Sequence, residues 1–173
     1  MKLDARCRPI EMILSDVDGV LTDGGVVFDN QGIETKKFHI RDGLGIKLWM
    51  KAGFHFGIIT ARTSHIVKVR ANELGIGLVR QGFEEKLAIA REIMADEGLE
   101  AEQVCYIGDD LTDIPVINAV GLGVAVADAA EEVKAAASHT TKLGGGQGAV
   151  RELAETILKA KNRWADVIQR YVT

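Results

Sequence analysis

Five short runs rich in β-branched and aliphatic residues, Glu11–Ser15, Phe56–Thr60, Leu78–Arg80, Val104–Ile107 and Leu122–Val126, alternate with longer segments of helical character. The helical segments lie around Leu44–Ala52, Thr63–Leu74, Glu84–Glu97 and Ile114–Val120. Such alternation implies βαβ units, so the expected fold is α/β with a doubly wound parallel sheet. Gly148–Ala160 reads as a closing helix with Leu153, Ile157 and Leu158 on one side, and the tail runs to residue 173. Gly75, Gly98 and Gly121 fall where helix C-caps are expected. One stretch interrupts the rhythm. Gly25–Asp29 and Glu34–Ile40 are β-rich arms around the turn signal Asn30-Gln31-Gly32, which predicts a β-hairpin between the first strand and the first helix.

The chain has 173 residues, 47% hydrophobic and 27% charged, which fits a single globular domain with a substantial core. No repeat or low-complexity tract suggests a second domain. A net charge of −4, from 21 basic and 25 acidic residues, disfavours general binding to nucleic acid or to anionic membrane. No apolar run approaches the roughly 20 residues that span a bilayer, and the charged N-terminal stretch MKLDARCRPIE lacks a signal-peptide core. Cys7 and Cys105 are far apart and form no CxxC pattern, which fits a reduced, cytoplasmic setting.

The chemistry is concentrated at strand ends. Asp16 and Asp18 follow the first strand, with Asp23 close behind. Carboxylates this crowded repel one another and are costly to desolvate unless a cation or hydrogen-bond donors compensate. Thr60-Ala61-Arg62 ends the second strand, Lys86 opens the helix after the third, and Gly108-Asp109-Asp110 with Asp113 follows the fourth. In open α/β sheets ligands bind beyond the carboxyl ends of the strands. Carboxylate oxygens, an ammonium and a hydroxyl would therefore converge there, a set suited to Mg²⁺ and a phosphate group. Taken singly, Lys86 would suit a solvated face and Thr60 a helix N-cap. The four histidines show no metal-ligand spacing; Trp49 and Trp164 fit packing roles, and Asp23 and Asp29 fit turns.

The order DxDGV, Thr at a strand end, Lys, then GDDxxD resembles the haloacid dehalogenase-like phosphatases over nearly the whole chain. That resemblance implies that Asp16 attacks phosphorus and forms a phosphoaspartate, while Asp18 acts as general acid and then base. It implies Mg²⁺ held by the Asp16 carboxylate, the Asp18 backbone carbonyl and Asp109, with Asp110 and Asp113 orienting these groups. Thr60 and Lys86 would bind the phosphoryl oxygens.

Only 41 residues separate Asp18 from Thr60 and 22 separate Lys86 from Asp109, too few for a globular cap domain. Among capless members the stretches "DVDGVLTDG", "FHIRDGLGI", "ITAR", "YIGDDLTDIPV" and "GGGQGAVRE" are similar to those phosphatases that act on an eight-carbon acid sugar phosphate. The resemblance implies substrate contacts from Phe38, His39, Ile40, Arg41, Asp42, Ile46, Arg62, Arg70 and Lys86, and a homotetramer built through the hairpin. An Arg fork binds a sugar carboxylate well, and Arg62 bears most on the choice of substrate. Arg41 and Arg70 could equally be solvated charges. Ala61 stands where this family usually has Gly, and Gln147 where it often has Arg. The rival readings are a phosphatase of nine-carbon acid sugar phosphates or its cytidylyltransferase-linked relative, a non-catalytic assembly module, and a receiver-type signalling domain. The last places its phosphorylated Asp after the third strand and has no second Asp two residues on.

Overall fold

The computed structural model describes residues 2–172. Its framework is a six-stranded, all-parallel sheet made from β1 (Met12–Ser15), β4 (His55–Thr60), β5 (Leu78–Gln81), β6 (Val104–Gly108), β7 (Leu122–Ala125) and β8 (His139–Thr140). The spatial order is β5-β4-β1-β6-β7-β8, so the chain winds outward from β1 in both directions. Every pairing is parallel, with Met12 opposite His55 on one side and Val104 on the other. Such strands are covered on both faces, which is why β1 reads as an unbroken apolar run; Met12, Ile13 and Leu14 are fully buried. The helices α2 (Ile40–Lys51), α3 (His65–Leu74) and α7 (Ala149–Ala160) pack as one layer, with α1 (Leu3–Cys7) and α8 (Trp164–Val172) against α7. The second layer joins α4 (Lys86–Asp96), α5 (Ile114–Ala119) and α6 (Glu131–Ala136). The last residue of the C-terminal segment, Thr173, and the first residue, Met1, lie outside the described residues.

The remaining strands, β2 (Val27–Phe28) and β3 (Glu34–Thr35), form a separate antiparallel ribbon around a turn. In that turn Asp29 Oδ1 accepts from the N–H groups of Gln31 and Ile33, and Gly32 takes φ +78°. The second arm is shorter than its sequence pattern implies, because the chain turns helical at Ile40, four residues before the expected helix start. His39 caps this helix, its Nδ1 accepting from the Arg41 N–H at 3.2 Å. The glycines that hide the first turns from a propensity reading are there for clearance. A Cβ on Gly43 would come within 2.4 Å of the Arg70 guanidinium, and one on Gly45 within 2.8 Å of the Arg151 backbone.

Gly75 and Gly98 follow helices with φ +79° and +65°, as expected of left-handed helix ends. Gly121 differs from the expectation: its φ is not positive, and a Cβ there would press against the Glu102 backbone at 2.5 Å. Close approach, not a C-cap, accounts for that glycine. The sequence pattern also missed α1, α6, α8 and the two-residue β8, all too short or too irregular to show a period.

Candidate active site

The site grows out of the carboxyl edge of β1 and β6, where the winding reverses and the loops part. Asp16 follows β1 directly, and its N–H still bonds to the Ile107 carbonyl at 3.1 Å. Its Oδ1 accepts from the Val17 N–H at 2.6 Å and its Oδ2 from Lys86 Nζ at 2.6 Å. The chain then folds into a tight turn, with the N–H groups of Val20, Leu21 and Thr22 all directed at the Val17 carbonyl. Gly19 makes this turn at φ +85°, and a Cβ there would lie 1.9 Å from an Asp109 carboxylate oxygen. Only glycine lets the first loop sit against the fourth. The glycine-rich tail supports it from behind: Gly146 donates to the Val20 carbonyl at 2.9 Å, and Gly145 leaves no room for a Cβ against Gly19 O.

Lys86, at the first position of α4, is buried and bridges Asp16 to Asp113 Oδ1 at 2.7 Å. Asp113 is completely buried, and its acceptors are engaged on both oxygens. Oδ1 also accepts from Tyr106 Oη at 2.6 Å, while Oδ2 takes the N–H groups of Asp109 at 2.8 Å and Asp110 at 3.1 Å. Asp110 caps the short 3₁₀ turn Leu111–Asp113. Thr60, at the end of β4, is also buried, and its carbonyl accepts from Gly82 and Phe83. It is not the N-cap of α3, a position held by Ser64.

Asp16, Asp109 and Asp113 offer carboxylate oxygens within 4.8 Å of one another. Burial raises the Asp16 carboxyl to about 6, the nearby Lys86 opposing and Asp113 adding to the rise. Burial, then the charges of Asp16 and Asp113, raise Asp109 to about 7. Burial pulls the Lys86 ammonium down, but the two carboxylates outweigh it, so its pKa is raised and it stays charged. One ammonium among three carboxylates, two of them buried and Asp109 partly so, leaves negative charge uncompensated, and the donors are all oxygen. This set fits a hard divalent cation such as Mg²⁺. Since Asp113 is fully occupied by four donors, the oxygens left for the ion are those of Asp16 and Asp109.

Asp18 points elsewhere. Its carboxylate, 19% exposed, is ion-paired to Lys36 Nζ from the hairpin and lies 3.8 Å from Arg62 Nε. Arg62 in turn donates to Glu34 Oε1 at 2.7 Å. The structure therefore brings together Asp16, Asp18, Thr60, Arg62, Lys86 and Asp109 at the strand ends.

The other expected substrate contacts form a second group at the start of α2. Among the described residues, no hydrogen bond or ion pair joins Phe38–Asp42, Ile46 or Arg70 to the aspartate cluster. Ile46 is wholly buried, and it lines a small cleft at the start of α2 together with Phe38, His39, Asp42 and Arg70. Asp42 is 2% exposed and its Oδ1 accepts from the Arg151 N–H at 2.8 Å, which makes it a cap for α7 and not a surface contact. Arg70 pairs with Glu73 at 2.8 Å and lies over the Phe38 ring. His39 is the helix cap described above, Ile40 is 78% exposed, and Arg41 borders a groove of about 880 Å³ between α1, α2 and α7. None of the clustered aspartates lines that groove. Sequence reading passed over Glu34, Lys36 and Tyr106. The i, i+2 spacing of Glu34 and Lys36, which sets two charges on one side of a strand, was the available signal.

A doubly wound sheet with paired aspartates, a buried lysine and a threonine at its carboxyl edge defines a hydrolase of phosphate monoesters. A family model described as haloacid dehalogenase-like hydrolase matches residues 78–153. The 3-deoxy-D-manno-octulosonate 8-phosphate phosphatase KdsC of Yersinia pestis is 44% identical over 158 residues, covering 91% of this chain and 84% of that protein. Its namesake in Haemophilus influenzae is 44% identical over 161 residues, covering 93% and 89%. The phosphatase of Moraxella catarrhalis, solved in complex with magnesium, phosphate and KDO, superposes with a TM-score of 0.95 at 38% identity, covering 97% of each chain. The chain belongs to the haloacid dehalogenase-like hydrolases and, within them, to the family of these 3-deoxy-D-manno-octulosonate 8-phosphate phosphatases.

Proposed function

We propose that the protein hydrolyses 3-deoxy-D-manno-octulosonate 8-phosphate to KDO and phosphate, a step toward lipopolysaccharide. The observation that carries the mechanism is the contrast between Asp16 and Asp18. One carboxylate is buried on Lys86, and the other opens toward the hairpin and Arg62. In this reading Asp16 Oδ attacks phosphorus as the P–O bond to the sugar breaks, and Asp18 gives its proton to the leaving oxygen. Asp18, now ionised, takes a proton from the water that cleaves the phosphoaspartate. Lys86 and Thr60 hold phosphoryl oxygens, and Asp113 with Tyr106 keeps Lys86 in place. Mg²⁺ held by Asp16 and Asp109 with the Asp18 backbone carbonyl would offset charge on the phosphoryl group. Arg62 meets the sugar carboxylate.

The hairpin exposes Val26, Val27, Phe28 and Ile33, each about half accessible, more apolar surface than an isolated ribbon comfortably leaves in water. In our reading hairpins from four copies bury that surface and bring a neighbour's Phe38–Arg41 region toward each site, which supplies the cover this capless chain lacks. The family resemblance and the two buried free cysteines support a cytoplasmic location. The decisive assay compares kcat/KM for the eight-carbon 8-phosphate, a nine-carbon acid sugar 9-phosphate and p-nitrophenyl phosphate. Preference for the first is expected, and a higher value for the nine-carbon ester would overturn the assignment.

A further inference from the structure

Glu34, on the second hairpin strand, is the hub of a polar chain that runs from the sheet edge to Asp18. The Gln81 carbonyl oxygen Oε1, at the end of β5, accepts from the Ser64 N–H at 2.8 Å. Ser64 Oγ donates to Glu34 Oε2 at 3.0 Å. On its other oxygen, Glu34 receives Arg62 Nη2 at 2.7 Å and lies 3.3 Å from Lys36 Nζ. Lys36, its side chain only 1% exposed, closes the chain on Asp18. A single carboxylate thus ties the hairpin to the loop after β4 and fixes two cations beside the second aspartate.

The consequence falls on Arg62. A guanidinium carries five N–H donors in a rigid fork. Here Nη2 is given to Glu34, Nε lies beyond hydrogen-bond distance from Asp18, and the side chain is 44% exposed. The fork is anchored at one corner by Glu34 and held within ion-pair reach of Asp18 while the side chain stays partly open to solvent, the state in which a carboxylate can be taken without first ordering a long flexible side chain. From this geometry we infer that Glu34 is a specificity-positioning residue: it pre-orients Arg62 for the carboxylate of the acid sugar. Glu34 touches neither phosphate nor sugar in this role. The inference rests on the proposed function only in taking Arg62 as the reader of that carboxylate.

The test is a double-mutant cycle on two substrates, 3-deoxy-D-manno-octulosonate 8-phosphate and p-nitrophenyl phosphate, which has no carboxylate. Glu34→Ala is expected to raise KM for the acid sugar ester by about tenfold more than for the aryl ester, the size of a lost charge-assisted contact. Glu34→Gln, which keeps an oxygen acceptor at the same reach, is expected to stay within about threefold of wild type. It also keeps the test alive should the alanine variant fold poorly. Combined with Arg62→Ala, Glu34→Ala is expected to cost no further specificity, because the residue it orients is gone. Equal losses on both esters, or full additivity with Arg62→Ala, would overturn the role of Glu34. If Arg62→Ala alone loses equally on both esters, Arg62 does not read the carboxylate, and that part of the functional reading falls together with the inference. If Arg62→Ala discriminates and Glu34→Ala does not, the inference alone falls.

Discussion

Asp16 and Asp18 leave β1 two residues apart, yet one is 7% exposed against Lys86 and the other meets cations from the hairpin and the β4–α3 loop. Asp16→Asn is expected to remove turnover while the fold survives, because the amide fills the same space but is a poor nucleophile. Asp18→Asn should lower kcat by about 10²–10⁴, the usual value of acid–base help. Phosphate release from preparations cleared of host phosphatases, with a thermal melt to show folding, checks both; wild-type turnover in Asp16→Asn would end the covalent mechanism. The raised carboxyls of Asp16, about 6, and Asp109, about 7, make a second prediction. In the unfolded chain both groups titrate near 3.9. Their contribution to the stability of the metal-free protein is thus fully present below about pH 4 and lost as pH rises through 6 to 7. Mg²⁺ needs both groups ionised, so its binding releases protons and tightens over the same range. The rise in Tm on adding Mg²⁺ should be on the order of 5 °C at pH 8 with a hundredfold excess over Kd, and much smaller at pH 5. Equal rises at the two pH values would show that the ion binds elsewhere.

At the scale of elements, α7 begins at Gly148, which has no side chain to cap it, and the missing acceptor comes from Asp42 on α2. A carboxylate at the third N–H of a helix meets both the unpaired donor and the positive end of the dipole. Burial raises the Asp42 pKa and the helix N–H groups oppose that rise. Asp42→Ala should therefore cost about 1–2 kcal/mol, read as a drop in Tm of a few degrees, with the same proportional loss of activity on acid sugar and aryl esters. A loss confined to the acid sugar would restore Asp42 as a substrate contact. This residue also shows where sequence reading stops. The five long-period segments and their strands were legible because a buried parallel sheet needs continuous apolar runs and each helix an apolar face. The aspartates, Thr60 and Lys86 were legible because strand ends are where such sheets bind ligands. Asp42 and Ile46 were not, since one turn of helix decides whether a side chain meets solvent or a neighbouring helix, and two glycines obscured where α2 starts. The spacing of Glu34 and Lys36 was a signal of paired charges, but the link from Glu34 to Arg62 and Ser64 was not legible, because those partners lie about 30 residues away.

At the scale of the whole molecule, the hairpin is held at one end and open at the other. Lys36 and Glu34 bind its base to the site, whereas Val27 and Phe28 in β2 and Ile33 beside the turn are each 57–58% exposed. In our reading an apolar ribbon tied so firmly at its root gains little by folding back on its own domain and pairs instead with a copy of itself. In our reading closed symmetry satisfies four such ribbons at once. The exposed apolar side chains are then the weak point of the assembly, and a charge placed among them should be tolerated by the monomer but not by the interface. Phe28→Asp is expected to leave the monomer's Tm within a few degrees of wild type, since little core packing is lost, and to shift the sedimenting species from tetramer to monomer at micromolar concentration. Because a neighbour's Phe38–Arg41 region would no longer reach the site, kcat/KM on the acid sugar phosphate should fall further than on p-nitrophenyl phosphate. Sedimentation velocity and the two assays on the same preparation decide the matter. A wild-type monomer with full activity on the acid sugar phosphate, or a Phe28→Asp tetramer, would remove the hairpin from the interface and leave each site to work without a neighbour.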